Sequence, residues 1–213
     1  YSSLFGFGAA TGIELSNELP GLVPNSLWKQ RNYGVPIKDG DSVTISIGQG
    51  YLLATPIQMA NMAAAVANNG KVMKPYLVEK IKSSDGQLLF ENQPVQKWNA
   101  SFNSGYLELI QRALKDVVED RSGTGRKSFI PGLKVYAKTG TSQVIREKDR
   151  GTEQEQVPYH ERTHAMFVAY VNDRPRKIAL AVVVEHGGGG GAVAAPIAKK
   201  ILCKYYGIPD SPR

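Results

Sequence analysis

Lys138-Thr139-Gly140-Thr141 places an ammonium, two hydroxyls and a bare backbone position within four consecutive residues. The surrounding stretch, Val135 to Val144, reads as a strand that the tetrapeptide interrupts with polar groups. The side-chain period of a strand is two, so Thr139 and Thr141 share one side and Lys138 takes the other. Two hydroxyls in line suit an anionic acceptor such as a carboxylate. Gly140 removes a side chain where a ligand backbone must come close. An extended peptide can add to an exposed sheet edge as one more strand. The segment therefore predicts an edge strand with Lys138, Thr139, Gly140 and Thr141 as substrate-binding residues. Lys138 would steady an anion or tune a neighbouring serine.

Other chemistry-bearing groups read differently. Ser26-Leu27-Trp28-Lys29 has the spacing of a serine activated by a lysine one helical turn away. It lies between Pro24 and the Asn32-Tyr33-Gly34-Val35-Pro36 stretch, where no helix is expected, and is set aside. Ser83-Ser84-Asp85 falls in a tight turn, where those residue types serve the backbone. His160 and His164 have metal-ligand spacing only on a helix, and Pro158 argues against one. Gly187 to Gly191 lacks the following Lys-Ser/Thr of a phosphate loop and reads as a flexible turn between strand and helix. His186, Trp28 and Trp98 read as structural. Gln49, flanked by Gly48 and Gly50, either lines a cleft floor or begins the next helix; the glycines favour the second. Cys203, the single cysteine, sits in an apolar helical pattern and reads as core. The sequence implies no metal and no cofactor.

The elements that must position the tetrapeptide follow from caps and periodicity. Thr11 to Leu15 is a short strand candidate, and Val43, Ile45 and Ile47 alternate as a brief second one. Thr55-Pro56 opens a helix that runs to about Asn69 and stops at Gly70. Pro75 to Gln93 reads as a hairpin turning at Asp85-Gly86. Asn103 or Ser104 caps a helix to about Arg121, with Leu107, Ile110, Leu114, Val117 and Val118 on one face. Three strands follow: Val135 to Val144, Ala165 to Val171 and Ile178 to Glu185. A helix from about Val193 to Tyr206 closes the chain. The connections between those strands lack crossover helices, so the expected class is α+β: an antiparallel sheet covered by helices. The first of the three strands should be an edge paired with the second. Arg146 to Glu161 is the most charged loop and the segment expected to be most mobile.

Composition bounds the class. With 42% hydrophobic and 21% charged residues, the 213-residue chain has the balance of an ordinary globular domain. No apolar run approaches the ~18 residues of a membrane span. The chain opens on Tyr1 with no leader pattern, as expected of a processed or partial product. A net charge of +7 suits an anionic partner such as wall polymer or lipid headgroups. The basic residues are scattered and lack interleaved aromatics, which argues against a nucleic-acid footprint.

Lys-Thr-Gly is also one of the motifs shared by serine β-lactamases and penicillin-binding proteins. Ser46-Ile47-Gly48-Gln49-Gly50, its continuation through Thr55-Pro56-Ile57-Gln58-Met59-Ala60, and Ala137 to Gln143 together resemble the transpeptidase domain of class B penicillin-binding proteins. The wording is most similar to the elongation type, the penicillin-binding protein 2 group. Thr11 to Gly21, Thr163 to Val171, the Gly187 to Gly191 run and Ala194 to Leu202 fit the same family in the same order. The resemblance implies a penicillin-binding protein/serine β-lactamase-like fold, of which residues 1–213 form the C-terminal portion of a single D,D-transpeptidase domain, incomplete at its N-terminal side. It implies peptidoglycan cross-linking at D-Ala-D-Ala stem peptides and acylation by β-lactam antibiotics. Lys138 and Thr141 would then be catalytic, with the Thr141 N–H an oxyanion donor. The family's Ser-x-x-Lys nucleophile and Ser-x-Asn motif precede the part resembled here, so the chain alone is expected to be inactive. The resemblance further implies an extracytoplasmic (periplasmic) location, an upstream membrane anchor, and scaffold partners of the MreC type. A D,D-carboxypeptidase or β-lactamase, or a non-catalytic peptidoglycan- or partner-binding module on the same fold, remain alternatives.

Overall fold

Residues 1–101, 103–143 and 157–210 are described by a computed structural model. The helices are α1 (Ser26–Tyr33), α2 (Asp39–Ser46), α3 (Pro56–Ala67), α4 (Ser104–Glu119) and α5 (Ala195–Tyr206). The strands are β1 (Lys71–Met73), β2 (Lys80–Lys82), β3 (Leu88–Glu91), β4 (Gln96–Asn99), β5 (Tyr136–Ser142), β6 (His164–Val171) and β7 (Ile178–Val184).

The central sheet has the order β5-β6-β7 and is antiparallel throughout. β5 is an edge, in unbroken register with β6 from Tyr136↔Tyr170 to Ser142↔His164. Both the α+β class and the edge position thus agree with the sequence-based expectation. Side chains of β6 alternate between two layers. Ala165, Phe167, Ala169 and Val171 face α5, where Ala194, Ala195, Ala198 and Leu202 complete the main core. Tyr170 and Val168 face α3 and α4, against Ala63, Val66 and Leu107. The sheet is therefore covered on both faces, and β5 keeps one side of its ladder open. Two small antiparallel pairs, β1-β4 and β2-β3, stand apart from it.

Local signals explain the long elements. Thr55 accepts the Gln58 N–H at 3.3 Å and the Gln58 carboxamide accepts the Thr55 N–H at 2.9 Å, a reciprocal cap that starts α3. Asn103 caps α4 by accepting the Gly105 N–H at 2.9 Å. Leu107 and Val118 on its apolar stripe are buried, whereas Ile110 turns outward. The hairpin forms, but its turn is centred on Ser84-Asp85, one residue before the expected pair, closed by the Gly86 N–H donating to the Ser83 carbonyl at 3.0 Å.

Two expected strands are absent. Thr11 to Leu15 stays irregular because the N–H groups of Thr11 and Gly12 are spent on the Glu18 carboxylate, at 2.7 and 2.9 Å. Burial pushes the Glu18 carboxyl up, but hydrogen bonds from the Thr11 hydroxyl and these two amides outweigh it and hold it below its ordinary value. Val43 to Ile47 lies on and just after α2 instead of forming a strand. Asp39 and Asp41 occupy the first turn of α2, where carboxylates favour a helix, and Asp41 accepts the Lys38 N–H at 2.8 Å. Val43 and Ile47 are 66% and 73% exposed, so their alternation buries no face. Val144 and residues 146–156 of the expected charged loop lie outside the described residues. No helix of the described residues is long and apolar enough to cross a membrane.

Candidate active site

β5 carries the whole Lys138–Thr141 tetrapeptide on the free edge of the sheet. Ala137 is buried on the α5 side, which puts Thr139 and Thr141 on that side and Lys138 and Gly140 on the other. Lys138 is exposed, and its ammonium donates to the Thr139 carbonyl of its own strand at 3.0 Å. Its charge therefore stands at the open edge. A Cβ on Gly140 would lie 3.2 Å from the Met166 Cβ of β6, a contact so close that glycine fits this position tightly.

Three segments remote in sequence converge on this strand. After α4, the Gly123-Thr124-Gly125 turn folds back so tightly that a Cβ on Gly123 would lie 2.3 Å from the Val117 carbonyl oxygen. That turn delivers the Thr124 hydroxyl to within 2.9 Å of the Thr139 hydroxyl. The glycine run after β7 lies behind the strand. A Cβ on Gly190 would lie 2.2 Å from the Met166 oxygen and 2.3 Å from the Gly140 oxygen, and one on Gly191 would lie 2.3 Å from the Thr124 oxygen. Expected as a flexible turn, this run is a close-packed brace whose residues 190–194 form one π-helical turn leading into α5. Glycine is required there by backbone-to-backbone approach. The third segment is the turn at Gln49, whose carboxamide donates to the Thr141 carbonyl at 2.6 Å and accepts the Gln143 N–H at 3.2 Å. The sequence favoured starting a helix for this residue; in the structure it reaches β5 across 92 positions.

The groups set aside fall elsewhere. Ser26 and Lys29 do share a helix, α1, contrary to expectation, because Asn25 caps it by accepting the Trp28 N–H at 2.8 Å. Lys29 is nonetheless buried, its ammonium bound to the Asp41 carboxylate and 5.4 Å from the centre of the Tyr51 ring. That hydrogen bond holds the Asp41 carboxyl below its ordinary value. Ser83 donates to Asp85 within the hairpin turn. His160 sits on a short turn and His164 at the start of β6, where its Nδ1 accepts the His186 N–H at 2.9 Å. Trp98 anchors the N-terminal turn by donating to the Leu4 carbonyl at 2.8 Å. Cys203 is buried, and burial pushes its thiol up.

Comparison with known proteins agrees with this geometry. The sequence profile of the penicillin binding protein transpeptidase domain matches residues 1–203. The peptidoglycan D,D-transpeptidase MrdA of Salmonella typhimurium is 37% identical over 202 residues, covering 94% of this chain and 32% of that protein. The chain thus spans about a third of the length of the curated relatives it matches. Pseudomonas aeruginosa PBP2, solved in complex with WCK 5153, superposes with a TM-score of 0.75 at 31% identity, over 96% of this chain and 42% of that one. Helicobacter pylori PBP2, solved in complex with MreC, gives a TM-score of 0.71 at 28% identity, over 96% and 35%. An antiparallel edge strand bearing Lys-Thr-Gly-Thr, helices on both faces of its sheet and a profile match along nearly the whole length converge on one conclusion: the chain belongs to the penicillin-binding protein transpeptidase family.

Proposed function

We propose that this chain is the C-terminal portion of a peptidoglycan D,D-transpeptidase domain and supplies the substrate-binding edge of its active site. The observation that carries this reading is the free edge of β5, with Lys138 exposed beside it. A stem peptide ending in D-Ala-D-Ala would lie along that edge as an added strand. Thr139 and Thr141 would bind its carboxylate by their hydroxyls, with Lys138 adding charge. The Thr141 N–H, on the open side of the ladder, would donate to the oxyanion.

In the reaction, a serine carried by sequence outside this chain attacks the carbonyl carbon of the penultimate D-Ala. The peptide C–N bond breaks, the terminal D-Ala leaves with the proton, and an ester to the serine remains. The amine of a second stem peptide then attacks the ester, forming the cross-link and returning the proton to the serine. A β-lactam ring opens on the same serine. Residues 1–213 alone supply the edge without the nucleophile and are inactive in this proposal. The parent would be membrane-anchored, act on the extracytoplasmic face, and meet a scaffold of the MreC type, as the Helicobacter pylori relative does.

The test is acylation by a fluorescent penicillin, followed by mass spectrometry. The 213-residue chain should form no stoichiometric adduct, and the protein that carries it together with the family's nucleophile motif should form one. Lys138→Ala in that protein should slow acylation about a hundredfold, the scale set by losing one preorganised electrostatic group, with an unchanged melting temperature. Lys138→Arg should rescue poorly, because a planar fork does not replace a compact ammonium. A normal rate in Lys138→Ala refutes the site assignment.

A further inference from the structure

We propose that Gln49 is a positioning residue that occupies the end of the binding edge of β5 and holds that edge in the form a ligand meets. The inference rests on the edge-strand reading above and adds to it a residue from the opposite end of the sequence.

The argument begins with the ladder. In an antiparallel pair, successive residues turn their N–H and C=O groups alternately toward the partner strand and away from it. Thr141 and Gln143 give their groups to Gln49, so they belong to the outward set, and Thr139 belongs with them by alternation. A primary carboxamide carries one acceptor oxygen and N–H donors in a plane, the same pair that a peptide group presents. Gln49 uses both, donating to the Thr141 carbonyl and accepting from the Gln143 N–H, as the next strand of the sheet would. What remains outward immediately before this contact is the Thr141 N–H, the Thr139 N–H and the Thr139 carbonyl that holds the Lys138 ammonium.

The aim of this side chain is built into its turn. Gly48 and Gly50 both adopt positive φ, 78° and 71°, where a side chain is disfavoured. The Gln49 N–H donates to the Thr44 carbonyl at 3.1 Å, fixing the turn to α2. Just beyond, Leu53 exchanges backbone hydrogen bonds with Leu22 at 3.0 and 2.8 Å, and the Thr55–Gln58 cap starts α3. Gln49 is thus held at both sides of its turn, which sets its side chain within reach of β5. The peptide plane it grips, Thr141–Ser142, adjoins the N–H assigned to the oxyanion. Loss of the grip would let that plane rotate, and a misplacement of about an ångström at a reacting centre can cost about a hundredfold in rate.

The experiment uses the protein that carries this chain and is acylated by fluorescent penicillin. Gln49→Met keeps length and removes both hydrogen bonds; Gln49→Glu keeps the acceptor and removes the donor to Thr141. The acylation step, separated from initial binding by its saturation kinetics, should slow about tenfold or more in Gln49→Met, with initial binding changed less and an unaltered melting temperature. Gln49→Glu should be impaired at neutral pH, where a carboxylate faces the Thr141 carbonyl, and should regain rate on acidification as the carboxyl becomes a donor. Wild-type acylation in Gln49→Met overturns the proposal and leaves the edge-strand reading intact. A fall in rate that tracks a fall in melting temperature, with no acid recovery in Gln49→Glu, also overturns it by making the residue merely structural. An unsubstituted protein that is not acylated overturns both readings together.

Discussion

In the sheet formed by β5, β6 and β7, the buried groups are almost all apolar: Phe167, Ala169, Val171, Leu180 and Val182 against Ala195, Ala198 and Leu202 of α5. In residues 1–55 the buried set is Thr11, Pro24 and Lys29, and the contacts that fix this segment include several polar ones. Gln58 of α3, 1% exposed, donates to the Ala9 carbonyl at 2.9 Å and the Pro20 carbonyl at 2.7 Å. Lys29 binds Asp41, and Glu18 gathers the amides of Thr11 and Gly12. Apolar burial is non-directional and roughly proportional to area, so the sheet holds its strands by mass. Hydrogen bonds from a buried carboxamide are directional, so the N-terminal segment is held by a few aimed contacts. The first arrangement gives a platform, the second gives placement. Gln49 extends from the second region onto the first.

The contrast can be broken or sharpened by substitution. The largest effect is expected at Phe167, where truncation to alanine empties the middle of the main core and should cost about 3–5 kcal/mol. Denaturant unfolding measures it; a loss below about 1 kcal/mol would be that of a surface change and would show that the sheet is not the stable body. Gln58→Leu comes next. It removes the donor to the Ala9 and Pro20 carbonyls, and because both residues are exposed and water can take its place, the loss should be about 1–3 kcal/mol in all. The loss should appear as faster amide exchange in residues 1–24 while β6 keeps its protection. Equal loosening of both regions would remove the distinction drawn above. The smallest effect is expected at Tyr170, whose hydroxyl is buried with no hydrogen-bond partner among the described residues. Burial, and then the neighbouring Tyr136, push its phenol up, so it stays neutral at any ordinary pH. Tyr170→Phe keeps the ring stacked on Tyr136, 4.7 Å between centroids, and should leave stability within about 1 kcal/mol or raise it slightly. A clear destabilisation would mean that the hydroxyl holds a contact.

The elements legible in the sequence are those whose signals are local. Thr55-Pro56 with Gln58, Asn103, and the apolar runs of β6 and β7 sit beside what they specify. α1 and α2 were not legible. Asn25 caps α1, but Pro24 before it and Gly34 and Pro36 after it are loop signals that mask the cap. The alternation of Val43, Ile45 and Ile47 outweighed the acids of the first turn. Thr11 to Leu15 has the residues of a strand, but its first amides go to a carboxylate further along the chain. The site divides in the same way. Lys138 to Thr141 stands out as polar residues interrupting a strand. Thr124, Gly190 and Gln49 act through backbone approach or a single long-range amide, and their partners lie 15 to 94 positions away or on other strands. The flanking glycines of Gln49 marked a fixed turn, but not what it faced.

The open edge of β5 has a further consequence, for self-association. An unpaired edge is a template on which a second copy of the same strand can add. Here the Thr141 carbonyl and Gln143 N–H are covered by Gln49, and the Thr139 carbonyl holds the Lys138 ammonium. A guest of one or two residues need displace only the lysine, which carries its own charge to an anionic terminus. A longer strand must also break the two bonds of the glutamine and accept a like charge at every copy. The edge is thereby open to a short chain end and closed to a neighbour of its own kind.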